Sequence, residues 1–344
     1  MAQSARNPDW LVRQEWLDLG REKILEPGLP IVDPHHHLWD RAETGRYLLP
    51  ELLADLGSGH NITTTVFLQC GSMHRALGPS EMRPVGEVEF VNGIAAMSAS
   101  GGYGATRICA SIVGFADLAL GAAVERVLEA EIAAGGGRFR GIRYITAAHP
   151  DPAATGAPSF RAPGMLRDLK VREGFARLEP LGLSFDAWMY HTQLEDLIDL
   201  ARAFPETPIV LDHVGGVIGR GSYAGRRDEV FAGWKRDIEE LARCPNVHVK
   251  LGGLGMRLFG FDLHERSMPP TSQELAALWR PYIETCIAAF GPARSMFESN
   301  FPVDKTSCSY AALWNAFKRI AAGCSAAEKA DLFGGTATRF YRLG

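Results

Sequence analysis

Three histidines in a row, His35, His36 and His37, follow Asp33 and Pro34 in the stretch IVDPHHHLWD. Imidazole nitrogens are neutral donors suited to zinc and similar borderline ions, and they also accept protons near neutral pH. Ile31, Val32, Leu38 and Trp39 flank the cluster, which therefore ends an internal apolar run and is not a terminal tag. Strand side chains alternate, so Asp33, His35 and His37 are expected on one face, with Pro34 and His36 on the other. Two imidazoles on one face can hold a single cation. The plainer alternative is a hydrogen-bonded pair at a strand end.

Other groups of the same chemistry lie far away in sequence. His213 ends the run LDHV, and His191 follows LSFDAWMY, so four of the ten histidines sit at the ends of apolar runs. The stretch MFESNFPVDK places Glu298 and Asn300 two apart, with Asp304 beyond a proline. A carboxylate here can bind a metal or take a proton from water, or simply pair with a cation such as Lys250 or Arg143. Those same cations could instead hold a substrate anion, Arg by a bidentate contact and Lys as a point charge.

Groups so far apart need a fold that gathers strand ends. Eight short apolar or β-branched runs recur, at residues 31–37, 63–70, 105–113, 139–146, 183–190, 208–214, 247–253 and 295–301. Most turn polar at their C-terminal ends. Between them lie stretches of helical period, at 122–134, 194–204, 229–244, 272–290 and 310–323, and a closing helix at 325–333 with Ser325 and Glu328 at capping-box spacing. This alternation predicts an α/β fold, a (β/α)8 TIM barrel, in which strands buried on both faces stay apolar and polar groups collect at the mouth. Residues 30–344 would form the barrel. Residues 1–29, with Trp10 and Trp16, read as an N-terminal extension, an extra helix packed on its outside.

Three connections, after the second, fourth and seventh strands, are long and rich in Gly and Pro, and read as loops over the active-site face. They and their neighbours carry Trp39, Phe160, Tyr190, Met256, Phe259 and Phe261, which points to a partly apolar pocket for a small-molecule substrate.

Composition excludes other classes. A net charge of −4 with no block of Lys or Arg leaves no footprint for nucleic acid. No run resembles a membrane span or a secretory signal, and the expectation is a cytoplasmic enzyme. The six cysteines, at 70, 109, 244, 286, 308 and 324, lack zinc spacing and read as buried thiols; Cys308 has no histidine near it in sequence. The aromatic N-terminal arm is compatible with a homo-oligomer.

Taken in order, DxHxH within HHHLWD, then DHVGG, then SNFPVD in place of the commoner S/T-D-W-P, resemble the amidohydrolase superfamily. More narrowly they resemble the amidohydrolase-related group of pyrone dicarboxylate lactonase and the L-fucono- and L-rhamnono-lactonases. The resemblance spans about residues 30 to 340. It implies hydrolysis of a lactone or related ester or amide carbonyl, with His35 and His37 as the first-strand pair, His213 as the sixth-strand histidine and His191 as the fifth-strand one. A divalent metal, zinc by donor type, would be held by His35, His37, His191 and Glu298, although the group also includes metal-free chemistry. His191, Arg143 and Lys250 would contact substrate. The superfamily's strand-eight aspartate falls on Asn300, which has no titratable acceptor. Either Glu298 or His213 then accepts the proton, or the chain is not a hydrolase of this kind. Two alternatives follow: a metal-dependent non-oxidative decarboxylase of an aromatic or muconate-type acid, and an inactive ligand-binding barrel.

Overall fold

In the computed structural model, which describes residues 11–156 and 162–344, the eight expected strands form one parallel sheet. They are β1 (Pro30–His36), β2 (Asn61–Leu68), β3 (Arg107–Gly114), β4 (Phe139–Ile145), β5 (Ser184–Trp188), β6 (Ile209–Leu211), β7 (Val247–Leu251) and β8 (Ser295–Phe297). Each pairs with its neighbour in chain order. The ring closes through a parallel bridge between His36 and Phe301, where His37 N–H donates to Phe301 O at 2.8 Å and Asn300 N–H to His35 O at 2.9 Å. The fold is a TIM barrel.

Strand alternation sorts the side chains into two apolar layers. Ile31, Phe67, Ile112, Leu211, Leu251 and Phe297 join the large core between sheet and helices. Val32, Val66, Leu68, Val113, Val210 and Met296 form a separate cluster with Ala337, Phe340, Tyr341 and Leu343 from the chain's end. The second set fills the barrel interior, and the C-terminal helix Thr336–Tyr341 caps its floor. Two residues beyond Val210 and Met296 on the same inward rows come Asp212 and Glu298, and β4, β5 and β7 add the buried Arg143, Asp186 and Lys250. The polar layer at the mouth follows directly from this register.

β1 breaks the pattern. Its pairing with β2 shifts between Asp33 and His36, and this irregularity resets the phase. Asp33 therefore does not share a face with His35 and His37. Its carboxylate accepts from Tyr310 Oη at 2.9 Å and from Ser299 N–H at 3.0 Å. His36 turns to the helix layer, where Nε2 meets Thr65 Oγ1 at 2.9 Å. Only His35 and His37 look inward.

The helices predicted at 194–204, 229–244, 272–290 and 310–323 appear as Leu194–Ala203, Arg227–Leu241, Ser272–Phe290 and Tyr310–Ile320. Two expectations need correction. The connection after β2 is not loop throughout, because Val85–Ala99 is a helix burying Val85, Val88, Val91 and Ala95 at helical spacing behind Pro84. The N-terminal arm contributes one helical turn, Gln14–Leu17, in its described part. Beyond it the arm lacks helix, with Lys318 donating to Leu25 O at 2.7 Å and to Glu26 O at 2.9 Å. Trp10 and Phe160 lie outside the described residues. No described helix is long and apolar enough to cross a membrane.

The floor is tied to the polar layer by Tyr341, whose hydroxyl donates to Asp186 Oδ2 at 2.6 Å with both groups buried. Tyr341→Phe is expected to cost about 1 to 3 kcal/mol, the penalty for leaving a buried acceptor one donor short. Urea unfolding should read this as a lower midpoint at unchanged m-value.

Candidate active site

Five strand ends and one turn supply the polar groups at the mouth. Glu298 follows β8 and is fully buried. Its Oε2 lies 2.7 Å from His35 Nδ1, and its Oε1 lies 2.7 Å from His213 Nδ1 and accepts the His213 backbone N–H at 3.1 Å. One carboxylate thus bridges two imidazoles. His35, His213 and Glu298 each offer a ligand atom within 4.8 Å of the others, a grouping able to hold a metal ion.

His37 completes the arrangement from the other side. Its Nδ1 faces Leu68 O at 2.9 Å, and a carbonyl can only accept, so the ring's proton sits on Nδ1 and Nε2 keeps a bare lone pair. His35 Nδ1 lies between Glu298 Oε2 at 2.7 Å and the Lys250 ammonium at 3.2 Å, and its Nε2 faces His37 Nε2. These two Nε2 atoms are 3.3 Å apart. Two nitrogens bound at zinc's usual distance in a tetrahedral sphere are roughly 3.3 to 3.4 Å apart. That spacing fits a divalent metal shared by the two rings as well as a hydrogen bond between them.

Beneath the histidines lies a buried ion layer. Lys250 Nζ is 2.7 Å from Asp186 Oδ2, 3.1 Å from Asp212 Oδ1 and 3.2 Å from His35 Nδ1. Burial works against its charge, but Asp186, Asp212 and Glu298 outweigh burial and hold the ammonium above its ordinary value. Fully buried and ringed by carboxylates, Lys250 is spent within the protein and does not reach into the pocket as a substrate anchor would. Arg143 is different. Its Nη2 donates to Gln69 O, its Nη1 lies 3.4 Å from His35 Nε2, and its buried Nε has no hydrogen-bond partner.

Burial governs the protonation states. It pushes Glu298 up to about 8 against the pull of Lys250, and Asp212 up to about 6. It holds His35 and His37 well below the usual histidine range, reinforced by Lys250 for the first and Arg143 for the second. His213 is pushed down to about 3 by the same desolvation. All three imidazoles are neutral at neutral pH, able to ligate or to accept a proton.

Local backbone fits this packing. His213 and Val214 both adopt left-handed conformations, φ 56° and 49°, an expensive turn for a β-branched residue. It aims the His213 ring between Trp188, 4.7 Å away by centroids, and the backbone of Gly253. A Cβ on Gly253 would lie 2.4 Å from that ring, and one on Gly252 would lie 2.4 Å from Glu298 Cγ. Glycine is required at both.

The structure therefore gathers His35, His37, His213, Glu298 and Arg143. It sets His191 apart: its Nδ1 accepts the Ile218 N–H at 3.2 Å, its ring packs edge-on to Tyr223, and burial pushes it down to about 4. Its place beside Glu298 in the expected ligand set is taken by His213. Asn300 turns its amide to Asp304 and not to the histidines. Cys308 is buried beside Asp304 O, its thiol pushed well above its ordinary value by burial. Asp186, Asp212, Tyr341 and the Gly252–Gly253 pair were not anticipated. Inward alternation from Val210 and the polar ends of FDAW and LDHV carried the signal for both aspartates.

A profile described as Amidohydrolase matches residues 32–343. The uncharacterized protein y4mH of Sinorhizobium fredii is 34% identical, covering 92% of this chain and 99% of its own. An L-fucono-1,5-lactonase of Burkholderia multivorans is 27% identical over 91% of this chain and 96% of its own. The crystal structure of an amidohydrolase from Burkholderia multivorans with bound zinc has 26% identity and a TM-score of 0.68, covering 91% of this chain and 99% of that one.

Asp304, beside this centre, carries a pH dependence. Burial pushes its carboxyl up to about 8, whereas the unfolded chain ionises near the ordinary aspartate value. Between those values the folded state binds the extra proton, so its stability falls as pH rises. From about pH 6.5 to 8 the unfolded chain's histidines still lose protons that the buried ones do not carry, an opposing contribution common to wild type and variant that their comparison cancels. Stability should drop by about 1 kcal/mol per pH unit there from this group, and Asp304→Asn should remove that share when denaturant midpoints are compared across the window.

Proposed function

The chain belongs to the amidohydrolase family, and from that premise we propose that it hydrolyses the carbonyl of a small lactone, or of a related ester or amide, that carries an anionic group. The observation that carries the reading is the Glu298 bridge between His35 and His213, with His37 opposite. Lactonase-named and zinc-containing relatives support it.

The donor set favours one divalent ion, zinc by ligand type, which His35 and His37 would hold through their facing Nε2 atoms. When bound, such an ion supplies Lewis-acid polarisation of the scissile carbonyl.

The chain's own groups divide the remaining work. Glu298 fixes the His35 ring through Nδ1 and so presents Nε2, the orientation that a carboxylate behind a ligating histidine imposes. At His213 the same carboxylate accepts from Nδ1, leaving Nε2 without a hydrogen bond among the described residues. His213 Nε2 is then the acceptor for the proton of the attacking water, with Glu298 stabilising the imidazolium that forms. Arg143, with its unpartnered Nε, holds the substrate anion. Trp39, stacked on His37 at 5.9 Å, and Trp188, beside His213, wall the pocket with aromatic faces suited to a ring.

A broad lactone and ester screen should find a substrate that releases acid without gas; carbon dioxide would mark a lyase instead. On that substrate, His213→Asn and Glu298→Gln are each expected to lower kcat about a hundredfold or more with KM changed only a few-fold. Wild-type turnover in both would sink these roles. Protein purified without chelator should contain close to one equivalent of transition metal. Full activity with less than about a tenth of an equivalent would reject the metal-assisted form.

A further inference from the structure

We infer that Asp304, clasped by Asn300, is a positioning residue that seats the Gly252–Gly253 turn against His213 and Glu298. The inference rests on the roles proposed above for those two groups. Asn300 sits at φ 54°, a left-handed conformation that asparagine tolerates, with its backbone N–H on His35 O at 2.9 Å. Its Nδ2 donates to Asp304 Oδ1 at 2.9 Å. The other oxygen of Asp304 accepts the Gly255 N–H at 2.9 Å, and Asp304 is fully buried, so water does not compete for either bond.

The clasp connects two strand ends. From β7 at Leu251 the chain runs through Gly252 and Gly253, whose backbone is the wall on which Glu298 and His213 rest, to Gly255, where Asp304 holds it. A Cβ at Gly255 would lie 2.9 Å from the Asp304 carboxylate, so the approach at this end is as close as at the other. Loosening Asp304 frees the far end of a four-residue span, and the wall behind the Glu298–His213 pair loosens with it. Errors of an ångström in such a wall are costly when a proton acceptor must meet its water.

The clasp also accounts for the departure from aspartate at position 300. Asn300 acts here as a donor, which an ionised aspartate cannot do. The residue at 300 is thus committed to Asp304, and proton acceptance is left to the His213–Glu298 pair.

A catalytic acid or base and a clasp respond differently to an isosteric amide. In Asp304→Asn, the new Oδ1 can still accept from Gly255 while its Nδ2 donates to a flipped Asn300 amide, so the hydrogen-bonding shape survives without a titratable group. Asp304→Ala loses both bonds. Expected are a fall in kcat of about tenfold or more with KM within about threefold for the alanine variant, and recovery to within about threefold of wild type for the asparagine variant.

A second readout needs no substrate. On ¹⁵N-histidine-labelled protein, the short His213 Nδ1–H to Glu298 bond should give a downfield proton resonance, assigned by its loss in His213→Gln. It should be lost or shifted in Asp304→Ala and kept in Asp304→Asn. If the alanine variant does not fold, Asn300→Gly keeps the left-handed backbone but removes the amide, and the resonance should shift in the same direction. An asparagine variant as inactive as the alanine one would make Asp304 an acid–base group and overturn the clasp. So would an alanine or Asn300→Gly variant with unchanged resonance and turnover. Absence of any hydrolysed substrate would defeat the functional reading while the resonance still decides the clasp.

Discussion

A single buried carboxylate joins the two halves of the site. Glu298 comes from the last strand of the barrel, His35 from the first and His213 from the sixth, and Glu298 lies 2.7 Å from an Nδ1 of each. Three strand ends are thereby fixed against one another at the seam where the barrel closes. A charge in this place is costly to bury, and burial pushes Glu298 up to about 8 despite the cations around it. The Lys250 ammonium beneath works the other way. Ligand geometry, protonation and barrel closure are consequently one problem with one solution.

The seam explains why β1 is irregular. A regular strand with Val32 inward would turn Pro34 and His36 inward and send His35 and His37 to the helix layer. The register shift reverses that phase. It frees Asp33 to receive Tyr310 and the Ser299 N–H, a second tie between the first strand and the residues after the eighth. The irregularity is thus the device that lets one short segment serve the core, the barrel seam and the metal-type donor pair.

Most of the fold was legible because its rule is local. A strand buried on both faces must be apolar, and eight such runs separated by helical periods have few folds open to them. The inward pair His35 and His37 was legible for a similar reason, although the register shift meant that simple alternation placed Asp33 wrongly. The helix Val85–Ala99 was hidden by the Gly and Pro around it, since local composition outweighed the spacing of Val85, Val88, Val91 and Ala95. His191 and His213 could not be ranked from sequence, because nothing local records that the Ile218 N–H points at one and Glu298 at the other. Tyr341 was invisible, being brought to Asp186 by the path of the chain's last helix across the floor.

The ion layer beneath the histidines sets the electrostatics of the site. Replacing a buried ion cluster by apolar groups of similar volume is often neutral or stabilising, so Lys250, Asp186 and Asp212 are poorly explained by stability. They are better explained by the field they make. Lys250 stands 3.2 Å from His35 Nδ1, and its charge disfavours protonation of that ring. A ring kept neutral keeps a lone pair that a metal can use. The two aspartates in turn keep Lys250 charged in a place where burial alone would drive its proton off. Tyr341 satisfies Asp186 from below, so the chain's last helix supports the charge that preserves a donor supplied by the first strand.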